Sequence, residues 1–468
     1  MTRLCIALGA AALLAANRTK PVAVAPPVDP RSSIVAIYVK PLAPEARQLS
    51  LRILSIAVVQ EDGSMVPLEL ELRDLAGDAP SGQRLLAWGA VPPGTYTGFA
   101  IKAASASIKD EEGPHILTLP GETTPSAFPF TTGARSAILA VAELDYRSSR
   151  GADNAFTPVF AFATPSKLAT GLVGAAASRA MGALVLFDKV SGQAVSLIAV
   201  GRGPGGMALD PERHRLYVPL AGDDTIATVD LLDASVLATS QLRAGDEPVS
   251  LALSPDGKTL LAANAGSSTV SVLDASAAAL VERTRVEVGS GPRYLAIDPS
   301  GNKAWVFSAL DDSISVLAVP GGGLVGTIRS GGGPIRGDFG RAPSRLYVIH
   351  QSSAYLDVVD AATLAPLRRV FIGPGASAIK VDPKTGRIYI GFKGSDRLDV
   401  FDPNGLLPID HVDTGGSAGH FTIDREGNNL CISIPSKGEV RLVRLVGKAL
   451  AARLDVPDPA EAALPGER

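Results

Sequence analysis

From residue 201 to 456 the chain repeats one short pattern of apolar and polar positions. A compact apolar run comes first: R-L-Y-V-P-L (215–220), T-L-L-A-A-N (259–264), K-A-W-V-F-S (303–308), R-L-Y-V-I-H (345–350), R-I-Y-I-G-F (387–392) and N-L-C-I-S-I (429–434). An alternating run follows each time: D-D-T-I-A-T-V-D, S-S-T-V-S-V-L-D, D-D-S-I-S-V-L-A, S-A-Y-L-D-V-V-D, S-D-R-L-D-V-F-D and K-G-E-V-R-L-V-R. Short apolar runs between turn residues predict strands buried on both faces, and strict alternation predicts half-buried ones. Ahead of each pair stands a Gly/Pro-rich turn, centred on Pro204, Pro248, Pro292, Pro334, Ala376 and Ala418. The steps between these positions are 44, 44, 42, 42 and 42 residues. A repeat of about 40–45 residues with four short strands is the period of a propeller blade.

Six turns define six blades. Residues 167–203 supply a seventh, with G-A-L-V-L-F-D-K-V-S-G-Q-A-V-S-L-I-A-V-G as third and fourth strands and A-T-G-L-V-G-A-A-A-S as second. Its innermost strand is missing or borrowed from the region near 158–164. A seven-bladed ring over 166–456 is therefore expected, with six blades the alternative count and 457–468 a C-terminal tail.

Residues 31–165 carry a different, non-repeating β pattern: S-S-I-V-A-I-Y-V-K, L-S-L-R-I-L-S-I-A-V-V, V-P-L-E-L-E-L, T-Y-T-G-F-A-I-K-A-A-S-A-S-I, H-I-L-T-L, S-A-I-L-A-V-A-E-L and T-P-V-F-A-F-A. Val66, Leu68, Leu70 and Leu72 fall on one face of their segment, with Glu69, Glu71 and Arg73 on the other. Pro92-Pro93-Gly94 begins a strand, since proline fixes φ and glycine accepts a left-handed angle. Seven or so strands without helices predict a β-sandwich. The fold class is all-β: an N-terminal sandwich followed by a seven-bladed propeller.

Ahead of both, one Arg precedes an apolar stretch from Leu4 to Ala16. It is too short to span a bilayer and suits a secretory signal, giving a signal peptide over 1–16. Leu14-Ala15-Ala16-Asn17 resembles a lipoprotein box with Asn17 in the place of the lipidated cysteine, and Cys5 lies too early to replace it. Residues 17–30, with P-V-A-V-A-P-P-V-D-P, read as an extended linker. The expectation is an exported protein, periplasmic or at the cell surface, with no transmembrane span; lipoprotein ancestry or an engineered replacement of the cysteine is the alternative.

Two resemblances follow from these motifs. V-P-P-G-T-Y-T-G-F-A-I-K (91–102), the later I-L-T-L and the closing T-P-V-F resemble the prealbumin-like sandwiches of bacterial and archaeal envelope proteins, one of them a domain of unknown function. That likeness implies a surface or adhesion-type module and transfers no catalytic residue. The six phased copies resemble the YVTN-type β-propeller family, with repeats of the form P-x-x-hydrophobic, L-Y-V-x-N and V-x-V-hydrophobic-D. Only Asn264 keeps the family asparagine; Leu220, Ser308, His350, Phe392 and Ile434 replace it elsewhere.

Composition narrows the chemistry. The net charge of −3 gives no reason to expect nucleic acid or an anionic membrane as partner. Beyond the signal only Cys431 remains, which excludes an intrachain disulfide or a cysteine metal site in the exported chain. The five histidines (His115, His214, His350, His411 and His420) have no H-x-x-x-H or H-E-x-x-H spacing, so no metal site is expected. No cofactor motif is visible. Gly321–Gly323 and Gly331–Gly333 read as blade turns because no helix follows them. Asp210, Asp298 and Asp382 recur before turns, and Asp230, Asp274, Asp360 and Asp402 recur after third strands. A turn former should recur in this way and a catalytic acid need not.

Positions that break the repeat are more informative. Two residues after each turn centre stand Gly206, Ser250, Tyr294, Arg336, Ala378 and His420; two further on stand Ala208, Ala252, Ala296, Asp338, Lys380 and Thr422. Early blades are bland and later ones polar. Arg293, Tyr294, Arg336, Asp338, His350, Lys380 and His420 form the candidate ligand site at the channel mouth, suited to a small anionic or hydroxyl-rich ligand. The competing expectation is that these groups pair among themselves, for instance Arg336 with Asp338. Two functional classes follow: a non-catalytic envelope protein that binds a protein, glycan or small ligand, or a propeller enzyme of lactonase or quinoprotein- or haem-associated dehydrogenase type. In the second class only His350 or His420 could serve as an imidazole base, and no catalytic residue is assigned.

Overall fold

The computed structural model describes residues 32–77, 82–111, 113–166, 173–341, 345–424 and 428–464. The proposed signal and linker (1–16 and 17–30) lie outside the described residues. Among the described residues no helix is long and apolar enough to cross a membrane.

The N-terminal unit is a two-sheet sandwich. One sheet runs in the order Phe160–Ala163, Ala137–Leu144, Ser33–Val39, Arg84–Val91, Glu69–Leu70. The other is built on the long strands Leu49–Gln60 and Gly94–Asp110, flanked by four shorter ones. Val35, Ile37, Leu51, Ile53, Phe99 and Phe156 pack between them. The segment 66–72 divides at Leu68: Met65–Pro67 pairs with Leu49–Gln60, while Glu69–Leu70 pairs with Arg84–Val91 in the opposite sheet. Its apolar face stays inward across the switch, so the alternation survives although the strand does not. Arg84–Val91 and Thr124–Thr132 are strands outside the sequence expectation. Two prolines interrupt the second, which pairs only with Gly94–Asp110, the place where a sheet tolerates proline.

Seven four-stranded antiparallel sheets follow. Blades two to seven have inner strands Ala208–Asp210, Pro248–Leu253, Pro292–Ile297, Pro334–Phe339, Ala376–Val381 and His420–Asp424, in the repeat order read from the sequence. The first blade corrects two expectations. Its outer three strands are Val173–Ser178, Ala183–Asp188 and Ala194–Ala199, and its inner strand is Pro459–Ala463, paired Ala175↔Ala463 and Ser178↔Pro459. Within the expected tail 457–468, Pro459–Ala463 is therefore a structural strand, and 465–468 lie outside the described residues. Phe160–Ala163 stays in the sandwich, paired with Ala137–Leu144. Closing the ring with the first and last strands of the propeller, Val173–Ser178 and Pro459–Ala463, removes the free strand edges that an open array would present at the seam.

The sandwich packs on the seam. Every residue of Ser33–Val39 is buried, since Val35, Ile37 and Val39 face the sandwich core while Ile34, Ala36 and Tyr38 face the propeller. Leu85 and Trp88 join them against Phe187, Leu197, Val440, Leu454 and others from blades one and seven. Asp455, at the end of the outer strand of blade seven, ties the junction. Its Oδ2 accepts from Arg84 Nε at 2.6 Å and from the Leu85 N–H at 3.0 Å, and its carbonyl accepts from the Tyr38 hydroxyl at 2.8 Å. The continuous apolar run of Ser33–Val39, a strand paired parallel with Ala137–Leu144 and antiparallel with Arg84–Val91, is thus explained by burial of both its faces. The axial mouth of the ring is left uncovered by this contact, which lies on outer strands.

Candidate functional site

The inner strands bring the equivalent positions of all blades around one axis, and ring closure adds a member. Pro459 falls 41 residues after Ala418, so Glu461 completes the series Gly206, Ser250, Tyr294, Arg336, Ala378, His420. It is the residue that sequence reasoning missed. The signal was present in the recurrence of the turn position, but P-A-E-A-A is too alanine-rich to read as a strand.

Glu461 reorganises the site. Arg336 Nη2 donates to Glu461 Oε1, joining blade five to blade one across the opening; each side chain is only 15% exposed. The blade-six position between them is Ala378, whose methyl group leaves the guanidinium room. Arg336 also lies over the Tyr294 ring, with Cζ 4.3 Å from the centroid, a cation–π arrangement. His420 Nε2 stands 3.8 Å from Glu461 Oε2, beyond hydrogen-bond reach. A Cβ at Gly206 would lie 3.2 Å from Glu461 Oε2 and 3.3 Å from Ser250 Oγ. A side chain in blade two would therefore crowd this carboxylate by a few tenths of an ångström.

Two residues further along the strands, Asp338 and Lys380 face each other at 3.7 Å. Asp338 Oδ2 also accepts from the Val381 N–H at 2.7 Å. Arg336 thus pairs with Glu461 rather than with Asp338. Of the candidate residues, Asp338 and Lys380 pair with each other, while the partner of Arg336 lies outside the candidate set.

Of the remaining candidates, Arg293 is exposed and His350 is turned into its own blade. The His350 ring is fully buried, with Nε2 2.7 Å from Ser330 Oγ and 3.3 Å from Asp357 Oδ2, and Nδ1 3.2 Å from the Tyr355 carbonyl. Asn264 does the same work in blade three, donating to Thr269 and Ser271 hydroxyls at 3.0 and 2.9 Å. Replacement of the family asparagine at 350 thus preserves an intra-blade tie. The recurring aspartates are turn formers: Asp382 accepts from the Lys384 N–H at 2.8 Å and Asp230 from the Leu232 N–H at 2.7 Å. In the second glycine cluster, the N–H groups of Gly332 and Gly333 donate to Asp312 Oδ1 at 3.1 and 2.6 Å. An internal carboxylate occupies that nest.

Burial shapes the ionisation of the cluster. It pushes the His420 imidazole down to about 4, against the opposing pull of Glu461 and with the help of Arg336 and Lys380. Burial works against the Glu461 carboxylate, but His420 and Arg336 hold it at about 2. Burial likewise raises the Tyr294 phenol. A pH dependence follows. The unfolded imidazole takes its proton near 6.5 and the folded one only near 4, so the unfolded state binds the extra proton in that window. This contribution is complete above pH 6.5 and is lost as pH falls to 4, at a total of about 3 kcal/mol. From 4.5 towards 2 Glu461 acts in the same direction, since its folded carboxylate resists protonation longer than the unfolded one. Calorimetric melting temperatures between pH 7 and 4 should fall in the parent protein and fall distinctly less in His420→Asn.

Among the described residues no group of three or more His, Cys, Asp or Glu is placed to hold a metal ion. Fold and site together define a seven-bladed propeller with a sandwich fixed to its seam and a charge-paired axial opening. A family model described as "Lactonase, 7-bladed beta-propeller" matches residues 247–449, from the threshold of blade three to the turn before the last strand of blade seven. No curated protein matches the chain. Solved structures share the architecture. A Bacteroides fragilis protein proposed as a 6-phosphogluconolactonase is similar at 16% identity over 64% of this chain and 99% of that one, with a TM-score of 0.54. Dihydro-heme d1 dehydrogenase NirN, in complex with DHE, is similar at 17% identity over 65% and 78%, TM-score 0.51. A Lactobacillus plantarum protein is similar at 21% over 60% and 94%, TM-score 0.52. At these identities the likeness is one of fold.

Proposed function

We propose that the chain is an exported envelope protein of periplasmic or surface location, a binding platform that offers the axial mouth of its propeller to a polar ligand or partner without bond chemistry. The observation that carries this reading is the mutual pairing of the charges at the opening: Arg336 with Glu461, and Lys380 with Asp338. A general base works best with a pKa near the operating pH. A carboxylate held at about 2 and an imidazole pushed to about 4 are poor bases at neutral pH. The apolar stretch from Leu4 to Ala16 supports export, and the motifs named above support kinship with YVTN-type propellers and prealbumin-like sandwiches.

A second reading, a propeller enzyme, is favoured by the lactonase family match over 247–449 and by neighbours described as a lactonase and a haem d1 dehydrogenase. These descriptions support it at least as much as they support a scaffold. Incubation of purified protein with γ- and δ-lactones at neutral pH separates the two. The platform reading expects hydrolysis at the buffer rate. Protein-dependent hydrolysis that falls tenfold or more in Glu461→Gln or His420→Asn would establish the enzyme instead.

A further inference from the structure

We propose that the ligand seated at the propeller mouth is a neutral, hydroxyl-rich molecule, a sugar or other polyol, and not an anion. The inference rests on the binding-platform reading and specifies its ligand class. Positive groups on later blades suggest an anion site when counted along the sequence. Ring closure removes that suggestion, because Glu461 enters from the last strand and takes the guanidinium of Arg336. The second cation, Lys380, faces Asp338 at 3.7 Å. With both pairs formed and the imidazole neutral at pH 7, the group Arg336, Glu461, Asp338, Lys380 and His420 carries no net charge, and Arg293 stands exposed outside it. An anionic ligand would have to compete with the carboxylate already on each cation, and at Arg336 and Glu461 it would do so where each side chain is 15% exposed.

What the opening does leave is unspent hydrogen-bonding capacity on uncharged groups. His420 Nε2 is too far from Glu461 for a hydrogen bond and is the nitrogen left for a ligand, since Nδ1, also without a partner, is shut off from solvent. The Tyr294 hydroxyl has no hydrogen-bond partner among the described residues. A phenol can donate and accept, and a neutral imidazole donates through one nitrogen and accepts through the other. Alcohol hydroxyls match both groups, because each also donates and accepts without bringing charge. Ala208, Ala252 and Ala296, at the corresponding positions of blades two to four, bring no polar side chain to that part of the inner strands, so the polar groups gather on the later blades. A polyol can turn its hydroxyls to that side.

The test is calorimetric titration and thermal shift of the full chain at pH 7 with glucose, maltose and myo-inositol, and with gluconate as the anionic counterpart of glucose. At least one neutral probe should bind and raise the melting temperature, with gluconate at least tenfold weaker than glucose or undetectable. Tyr294→Phe keeps the ring under Arg336, so its unliganded melting temperature should match the parent while affinity for the neutral probe falls at least fivefold. His420→Asn should weaken the same probe comparably. Gluconate binding more tightly than glucose, with the same loss in Tyr294→Phe, would overturn the neutral class and keep the channel as the site. A neutral probe bound equally by the parent and both variants would remove the channel itself. Binding by none of the four would overturn the proposal. Protein-dependent lactone hydrolysis would instead strike at the platform reading, independently of these outcomes.

Discussion

Arg336→Ala should destabilise the unliganded protein by about 3 kcal/mol or more, a fall of roughly 6–12 °C in the propeller transition. The expectation follows from the partner. Removing the guanidinium leaves Glu461, 15% exposed, as an uncompensated carboxylate on the strand that closes the ring. Breaking a buried pair by deleting one partner costs more than the pair contributes, because the surviving charge keeps its desolvation penalty. Adding Glu461→Gln to Arg336→Ala should therefore restore most of the loss, a recovery that a simple loss of packing would not give. Scanning calorimetry of the two variants beside the parent checks both points. A melting temperature unchanged in Arg336→Ala would mean that the axial ion pair does not hold the ring. The sequence offers two expectations for Arg336: as a ligand contact it could be removed without affecting the free protein, and as a partner of Asp338 it could not.

Ending the chain at Asp458 should abolish cooperative unfolding of the propeller and drive the protein into aggregates on expression. The truncation removes the inner strand of blade one, Pro459–Ala463, and with it Ala460, Ala462 and the fully buried Leu464. Val173–Ser178 would then expose its inner edge to the axis, and Arg336 would lose Glu461 at the same time. An unpaired apolar edge is a template for association with other chains. A chain ending at Leu464 should keep the parent melting temperature, since it retains the whole pairing from Ala175↔Ala463 through Ser178↔Pro459. Soluble yield, size-exclusion behaviour and calorimetry distinguish the two truncations. A soluble, cooperatively melting chain that ends at Asp458 would contradict the closure described here.

Much of the architecture was legible because repetition amplifies a weak local signal. One six-residue strand says little, but R-L-Y-V-P-L, K-A-W-V-F-S and R-L-Y-V-I-H in phase leave few other folds. The aspartates of the turns were legible for the same reason. Arg84–Val91 escaped because both its faces are buried, one in the sandwich and one against the propeller, which erases the alternation that marks a half-buried strand. His350 was misleading for a different reason. Its place in the repeat pointed to the channel sector, but the imidazole folds back onto Ser330 and Asp357 within the blade network, and only coordinates give a side chain's direction.

What the sequence determined by itself is therefore everything set by local pattern: strand-rich composition, blade period, turn chemistry, and the asymmetry that makes later blades polar. What only the tertiary structure decided is everything set by partners distant along the chain. Pro459–Ala463 became an inner strand because it pairs with Val173–Ser178, more than 280 positions earlier, and Arg336 found Glu461 rather than Asp338 through that pairing. Hydrogen bonds between strands join whichever backbones closure brings alongside, and a five-residue, alanine-rich segment carries no local mark of the neighbour it will meet.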